Sequence, residues 1–424
     1  MAAAAVALVG CASAPSQATD APSGSDSIAV ADTDAKPATS EAAAPESIPP
    51  TNDDEAMTTT TDALSDTAAE QALDPTLAAA IDQRLLVGEA TMPLEQRLEE
   101  LSIPGAAIVV VDQGVTVAEL AIGTTPDGDP MTTDTMLQVG SVSKPVAAAT
   151  IATLVADGAL DWATPAPLTN VGVPVPAGVE VDFAQLLSHT AGVNVDGFLG
   201  YESPEEAPDL AEVIAGEGNT APIAVDSALG EFRYSGGGYV LAAEAATTLD
   251  GASSFAELAQ RQLFGPLGMS DSVFALEPPA DRLDRVSEGA VGLEGLESGW
   301  QRHPEHAAAG LWTTADDLAI FLTAFGASLA GDPDALLPPD VAAEMIQGVV
   351  TFNDDGAAVG RGWFLDDLDQ PTVYRHNGRN IGYTAEIAGT VDGRYGVVVV
   401  TNSFPGGTDL ARDVIATIAA ELEW

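Results

Sequence analysis

Residues 140–144 have the sequence Gly-Ser-Val-Ser-Lys, which places a serine and a lysine three positions apart, at Ser141 and Lys144. Side chains with this spacing share one face of a helix, so the amine can take the hydroxyl proton and activate the serine as a nucleophile. The chain has 14 basic residues, of which two are lysines, and the other lysine, Lys36, lies in a low-complexity leader. Arginine cannot release its proton near neutral pH, whereas lysine can. We therefore expect position 144 to need a primary amine.

The composition of the 424-residue chain excludes several classes of protein. Its 46% hydrophobic content is ample for a folded core. The net charge of −50 argues against nucleic-acid binding and against polybasic attachment to anionic lipid. A solvated acidic surface explains this charge most simply, and binding of a cationic partner remains the alternative.

The N-terminus predicts export. Residues 2–10 form a short apolar run, and residues 8–11, Leu-Val-Gly-Cys, resemble the lipobox of bacterial lipoproteins. This resemblance implies a signal segment at 1–11, lipidation of Cys11, and an extracytoplasmic lipoprotein attached to the membrane through that lipid. The run is too short to span a bilayer, and it lacks the basic residues that usually open a signal peptide. An Ala-rich N-terminus with a chance cysteine is the alternative.

Residues 12–75 are rich in Ala, Ser, Thr, Pro, Asp and Glu and have almost no large apolar side chains. Such a composition cannot bury enough apolar area to offset the entropy of ordering, so we predict a disordered acidic linker. The body then occupies residues 76–424. Cys11 is the only cysteine in the sequence, so no disulfide can form within the chain.

The body predicts strands at both ends and helices between them. Helices are expected at 77–86 and 94–101, and strands at 106–111 and 115–122. An Ala-rich helix should begin near Ser141, because Pro145 is tolerated only in a first helical turn. Strands are also expected at 372–376, 383–390 and 395–402, followed by a final helix at 409–422. This order predicts an α+β fold: an antiparallel sheet built from both ends of the body, flanked by helices, with a mostly helical inserted region.

The stretch 140–144 resembles the SxxK motif of the serine β-lactamase and penicillin-binding-protein superfamily, in particular its class C-like branch. Five further segments match blocks of that branch in their usual order: residues 186–192, 232–239, 266–269, 309–318 and 376–378. The resemblance covers nearly all of residues 76–424 and implies the β-lactamase/transpeptidase-like fold. It also implies a serine hydrolase in which Ser141 forms an acyl-enzyme, Lys144 acts as base, and Tyr234 passes the proton to the leaving group.

The same resemblance assigns the substrate side of the site to residues 376–379. His376 stands where a substrate-binding lysine is usual, and the backbone N–H groups of Ser141 and Arg379, next to Gly378, would bind the oxyanion. An imidazolium at His376 could hold a substrate carboxylate at low pH. The side chains of Arg375 and Arg379 are expected to flank the site and to supply the anion contact otherwise. Together with desolvation, these cations should keep Lys144 neutral.

Other features predict no cofactor and no metal. His303 and His306 have metal-ligating side chains, but Pro304 and the lack of further ligands favour a surface or cleft-lining loop. His189 is expected to be structural, since the resemblance assigns no catalytic role to this position. Loops at 193–230 and 280–306 are expected to shape the cleft, although no specific pocket is evident in them.

The sequence thus favours a serine hydrolase acting on an ester, an amide or a D-amino-acid peptide. Gly236 replaces a usual asparagine, and together with His376 it disfavours penicillins as preferred substrates. A true β-lactamase or D-Ala-D-Ala carboxypeptidase is the nearest alternative. A catalytically silent lipoprotein that binds peptidoglycan or peptide is the alternative of another class. Expected partners are a small-molecule or peptide substrate, with peptidoglycan as a candidate.

Overall fold

The computed structural model describes residues 73–226, 228–290 and 299–424. The predicted signal segment with Cys11, and all but the last three residues of the predicted linker 12–75, lie outside the described residues. The strands are β1 (Leu85–Val87), β2 (Ala90–Met92), β3 (Gly105–Asp112), β4 (Val115–Gly123), β5 (Leu137–Gln138), β6 (Val273–Phe274), β7 (Leu311–Thr313), β8 (Val350–Thr351), β9 (Ala358–Val359), β10 (Phe364–Leu365), β11 (Val373–Asn380), β12 (Tyr383–Thr390) and β13 (Tyr395–Thr401).

Most of the helices that the structure describes lie in the sequence between the strands at the start of the body and those at its end, and three lie outside these strands, near the ends of the body. The helices are α1 (Pro75–Gln83), α2 (Leu94–Leu101), α3 (Ser143–Ala156), α4 (Phe183–Leu187), α5 (Leu210–Ala215), α6 (Gly236–Asp250), α7 (Phe255–Ala259), α8 (Gly265–Leu267), α9 (His306–Ala309), α10 (Ala315–Ala330), α11 (Pro339–Met345) and α12 (Gly406–Leu422). None of these helices is both long and apolar enough to cross a membrane.

The main sheet joins both ends of the described chain. Among the described residues, eight antiparallel strands follow the order β4-β3-β13-β12-β11-β10-β9-β8. The strands β3 and β4 come from the start of the body, and the other six come from its end. The expected α+β fold, with an antiparallel sheet built from both termini and flanked by helices, is therefore confirmed.

Two tight turns set the register of this sheet. The turn between β3 and β4 places Gln113 and Gly114 at φ values of 51° and 78°, and the turn between β12 and β13 places Gly393 at 73°. Positive φ values match the right-handed twist of paired strands in short hairpins. These turns fix which side chains of β3, β12 and β13 enter each core.

Alternate side chains of the sheet enter two separate cores. One face packs against α1, α2 and α12, with Ile108, Val110, Val397 and Val399 among its buried residues. The opposite face packs against the helical region through residues such as Val109, Ile387 and Val398. Helix α3 lies in this second core, where every residue from Ser143 to Leu154 is buried. A helix that is apolar on all sides is expected to be buried in this way.

The boundaries of three predicted elements need correction. The helix expected at 77–86 ends at Gln83, because residues 85–87 form strand β1 and pair with β2. The strand expected at 372–376 continues to Asn380, since β11 pairs with β12 through to Asn380 opposite Tyr383. The final helix begins at Gly406 rather than at 409.

Strand β11 lies directly against the 3-10 turn Gly140–Val142, which precedes α3. Two glycines allow this approach. A Cβ on Gly378 would lie 1.9 Å from the carbonyl oxygen of Val139 and 2.9 Å from the backbone nitrogen of Ser141. A Cβ on Gly140, whose φ is +50°, would lie 2.5 Å from the backbone nitrogen of Arg379. Both contacts involve backbone atoms, which cannot move aside as a flexible side chain can.

Substitution of Gly378 by alanine should therefore push β11 away from the turn. We expect Gly378→Ala to lower the free energy of unfolding by about 1–3 kcal/mol, as overpacking does, and to abolish the reaction of Ser141 with a fluorophosphonate. Denaturant unfolding and mass spectrometry of the labelled peptide measure the two effects. Gly197→Ala is the matched control, because its added methyl group enters open space. Unchanged stability and labelling in Gly378→Ala would contradict this account of the packing.

Candidate active site

The side chains of Ser141 and Lys144 meet at the start of α3. Ser141 lies in the 3-10 turn and Lys144 in the first turn of the helix, with Pro145 next to it in that turn. The Nζ atom of Lys144 donates to Ser141 Oγ at 2.9 Å and to the carbonyl oxygen of Ala308 at 2.8 Å. The pair expected from the three-residue spacing is therefore within hydrogen-bonding distance.

Burial controls the charge of this amine. Lys144 is 2% exposed, and desolvation lowers its pKa from 10.5 to about 7. A neutral amine is then available near neutral pH to accept the proton of Ser141. Desolvation, one of the two causes that the sequence predicted, accounts for this shift.

Tyr234 lies beside the Ser141–Lys144 pair on the loop before α6. Lys144 Nζ is 5.1 Å from the centroid of the Tyr234 ring, and the tyrosine side chain is partly exposed. Ser235 caps α6 by accepting the N–H of Gly238 at 3.0 Å, and its hydroxyl also donates to the carbonyl of Val195 at 2.7 Å. The loop that carries Tyr234 is therefore anchored at the residue directly after it.

His189 also anchors the loop that carries Tyr234. Its carbonyl oxygen accepts the N–H of Arg233 at 2.8 Å, and its Nδ1 accepts the N–H of Ser235 at 3.0 Å. Its ring centroid lies 4.4 Å from that of Tyr234. Desolvation lowers the pKa of His189 well below 6.5, so Nδ1 keeps the lone pair that this bond requires. The expected structural role thus has a specific form, because His189 contacts the residues on both sides of Tyr234.

The backbone amides of Ser141 and Arg379 lie at the contact between the 3-10 turn and β11. The close approach at Gly140 and Gly378 places both nitrogens beside this contact. Amides from two segments at one position have the arrangement that an oxyanion site requires. The oxyanion role of Arg379 and Gly378 stays a prediction.

The charge of His376 is set by its burial. It is 1% exposed, its Nδ1 lies 2.7 Å from the carbonyl oxygen of Asn377, and its ring centroid lies 5.1 Å from that of Phe364. Desolvation, with the nearby charge of Lys144, lowers the pKa of His376 to about 3. His376 is therefore neutral near physiological pH, an imidazolium would form only in acid, and its predicted contact with a substrate carboxylate at low pH stays a prediction.

The side chains of Arg375 and Arg379 lie on the wrong face of the sheet to contact a substrate anion. Side chains alternate along a strand, so residues 375, 377 and 379 point away from the face of His376 and Gly378. Arg375 binds the buried Glu386 at 3.1 Å. Burial raises the pKa of Glu386, and the positive charges of Arg375 and Arg379 oppose that rise. Both guanidinium groups thus lie on the side of the sheet that packs against α12. The predicted contact between their side chains and a substrate anion is therefore wrong.

A buried polar cluster beside the site was missed from the sequence. His303 and Glu305 are 2% and 0% exposed, so of the two expectations for this loop, a surface loop or a cleft-lining loop, the surface loop is wrong at these residues. Their ring nitrogens and carboxylate oxygens lack hydrogen-bond partners, and burial shifts the pKa of Glu305 up to about 7 and that of His303 down to about 3. In the described part of the chain, no group of three or more His, Cys, Asp or Glu side chains is arranged to hold a metal ion.

The titration of Lys144 should control the reactivity of Ser141. The neutral amine is the base, so the rate of reaction with an uncharged fluorophosphonate should rise with pH through about 7. Between pH 6 and pH 8 the neutral fraction, and with it the rate, should increase about tenfold. Labelling reactions quenched at a series of times and analysed by mass spectrometry measure this rate. Lys144→Arg keeps the charge but cannot supply the base, so it should be nearly unreactive at every pH. An unchanged rate in that variant would exclude Lys144 as the base.

Comparison with known proteins agrees with this geometry. The family model described as Beta-lactamase matches residues 93–421. Penicillin-binding protein 4 of Amycolatopsis lactamdurans is 28% identical over 344 residues, which cover 76% of this chain and 87% of that protein. The octameric penicillin-binding protein homologue from Pyrococcus abyssi has a TM-score of 0.63 at 23% identity, with 78% of this chain and 76% of that one covered. A class C beta lactamase from Rhodobacter sphaeroides has a TM-score of 0.60 at 20% identity, with 82% and 100% covered. The chain therefore belongs to the Beta-lactamase family and is a serine hydrolase with the fold of that superfamily.

Proposed function

We propose that this serine hydrolase acts through a Ser141 acyl-enzyme on an ester, an amide or a D-amino-acid peptide. The observation that carries the proposal is the 2.9 Å contact between Ser141 Oγ and the buried amine of Lys144. Family membership supports the reaction type, and the finer substrate assignment rests on the residues around the pair.

The proposed reaction uses residues from three segments of the chain. Neutral Lys144 takes the proton of Ser141 as Oγ bonds to the substrate carbonyl carbon. The backbone N–H groups of Ser141 and Arg379 stabilise the resulting oxyanion. Tyr234 then donates its phenol proton to the leaving oxygen or nitrogen as its bond to the carbonyl carbon breaks, and takes up the proton held by Lys144. Water adds to the acyl carbon and gives a proton to the neutral Lys144, which returns it to Ser141 Oγ as the acid leaves.

A β-lactamase or a D-Ala-D-Ala carboxypeptidase is the second candidate. The name of the Amycolatopsis relative, a penicillin-binding protein, favours this candidate. The residues at two positions disfavour it. Gly236 supplies no side chain to bind a substrate amide, and the neutral His376 is a poor partner for the carboxylate of a penicillin or a free peptide terminus.

A catalytically silent protein that binds peptidoglycan or peptide is the third candidate. Such a protein has no need of an amine with a pKa near 7 held against a serine hydroxyl. A shifted pKa in an amine that contacts a serine hydroxyl is typical of catalytic sites. We therefore rank it below both hydrolase candidates.

Ester turnover separates these candidates. A p-nitrophenyl ester should be hydrolysed with a kcat/KM about 100-fold or more above that of a chromogenic cephalosporin, because the carboxylate of the cephalosporin would be desolvated without a cationic partner. Ser141→Ala should reduce ester hydrolysis about 1,000-fold or more. Ser143→Ala removes a hydroxyl two residues away, one that accepts the N–H of Leu311, and should retain most of the activity. Faster cephalosporin hydrolysis would favour the second candidate, and no labelling of Ser141 by any acylating or phosphonylating probe would favour the third.

We also propose that the protein is exported and anchored by a lipid on Cys11, with residues 12–75 as a tether. The sequence Leu-Val-Gly-Cys at 8–11 supports this location. Cys11→Ser expressed in a bacterium should lose incorporation of a labelled fatty acid and leave the membrane fraction, while Ser143→Ala should keep both. Equal labelling of Cys11→Ser would contradict the proposed anchor.

A further inference from the structure

An aromatic ring occupies the space beside Gly236. This glycine follows Tyr234 by two residues, and a Cβ built on it would lie 2.9 Å from Cε2 and 3.3 Å from Cδ2 of Phe198. The N–H of Gly236 donates to the carbonyl of Asp196 at 2.9 Å, which holds the segment containing Phe198 against the tyrosine loop. A side chain at position 236 would therefore have to displace the ring of the half-buried Phe198, which presents an apolar surface there.

A second group of rings extends from the site toward the surface. The Phe364 ring centroid lies 6.2 Å from that of Tyr234 and 5.1 Å from that of His376. Phe352 packs on Phe364 at 5.1 Å, and Phe232 packs on Phe352 at 5.5 Å. Phe352 and Phe232 are half-buried. A series of ring contacts therefore runs from Tyr234 and His376 to two half-buried phenylalanines, and an apolar acyl group can pack against side chains of this kind.

The arginines of the described residues are already engaged elsewhere. Carboxylates or backbone carbonyls bond the guanidinium groups of Arg84, Arg97, Arg233, Arg261, Arg282, Arg285, Arg302, Arg361, Arg375, Arg394 and Arg412. The positive charge of Arg379 acts on Glu386, and its side chain lies on the α12 face of the sheet. Each of these guanidinium groups would therefore have to give up an existing interaction before it could bind a substrate anion.

The remaining basic groups near Ser141 also offer no anion site. Lys144 must be neutral to act as the proposed base, and it already contacts Ser141 and the carbonyl of Ala308. His376 is buried with its Nδ1 on the carbonyl of Asn377. A substrate carboxylate in this cleft would lose hydration without gaining a cationic partner, which is a costly exchange.

The negative charge around the site also disfavours anionic substrates. Asp196, two residues before Phe198, is exposed at this edge of the site. The chain as a whole carries a net charge of −50. Such a field lowers the local concentration of anionic substrates and favours neutral or cationic ones.

We propose that the cleft selects neutral esters with an apolar acyl group and rejects acyl donors that carry a carboxylate, with Phe198 as a specificity-determining residue. This inference rests on the proposed hydrolase function and narrows it. It disfavours penicillins and peptides with a free C-terminus for one shared reason, because both classes carry a carboxylate.

A matched pair of esters tests the charge preference. The p-nitrophenyl esters of butyric acid and of succinic acid (as the half-ester) differ by a carboxylate in place of a terminal methyl group. The butyrate should have a kcat/KM about 100-fold higher, because the unpaired carboxylate must be desolvated. At about 1 M salt, where long-range fields are screened, most of this ratio should persist. A butyrate-to-succinate ratio near one at both low and high salt would overturn the proposal. A ratio that is high at low salt and falls to about one at high salt would overturn the role assigned to the local site.

Substitutions at the site test the assigned residues. Phe198→Ala should lower kcat/KM for the butyrate about fivefold to tenfold while changing the acetate ester much less, because a lost apolar contact scales with acyl size. Leu249→Ala is the matched control: it removes an exposed apolar side chain near the far end of α6, and its butyrate-to-acetate ratio should equal that of the unaltered chain. His376→Lys introduces a cation and should raise the ratio of half-succinate to butyrate hydrolysis. An unchanged selectivity in both Phe198→Ala and His376→Lys would exclude these assignments.

The outcomes separate this inference from the function on which it rests. If Ser141 is labelled and both esters turn over equally well, the hydrolase proposal stands and the inference is wrong. If Ser141 resists every probe and neither ester turns over, the hydrolase proposal is wrong, and the inference is wrong with it.

Discussion

The burial of one lysine amine constrains most of the candidate site. Lys144 can lose its water only if protein groups replace its hydrogen bonds, and it finds them in Ser141 Oγ and the carbonyl of Ala308. The carbonyl comes from α9, more than 160 positions later in the chain, so the helical region must close over α3. Asn380 holds the same helix from the sheet side, since its amide donates to the carbonyl of Ala309 at 3.1 Å. The state of a single proton thus depends on packing between distant segments.

The sheet makes the second constraint possible. Strand β11 comes from the end of the chain and must lie in backbone contact with the turn that carries Ser141, and Gly140 and Gly378 permit that contact. The β12–β13 hairpin connects β11 to β3, which belongs to the start of the body. Two ends of the chain are therefore joined in one sheet before the backbone amides of Ser141 and Arg379 can lie side by side. Such nonlocal pairing explains why the motifs are dispersed along the sequence.

Local sequence patterns were sufficient to predict the helices and strands, but not to predict which face of a strand or loop each side chain occupies. Alternating apolar residues and turn signals predicted β3, β4, β12 and β13 within a residue or two, and Pro145 placed the start of α3. The direction of Arg375 and Arg379 depends instead on the register between β11 and β12, and a shift of one residue reverses every side chain. The burial of His376, His303 and Glu305 depends on segments that close over them. Likewise, the contact of Phe198 with Gly236 joins a loop to the first residue of α6, 38 positions later, and no local signal marks it.

Desolvation, rather than neighbouring cations, accounts for a neutral base in so acidic a protein. The acidic side chains lie mostly at the surface, where water and salt screen them. Lys144 lies in the interior, and loss of hydration determines its pKa. A cation beside Lys144 would also have stabilised the neutral amine, but it would have created an anion site in the same cleft. By relying on burial alone, the site keeps its base neutral and keeps positive charge away from the substrate. The lowered pKa of Lys144 and the lowered pKa of His376 are thus two consequences of the same burial.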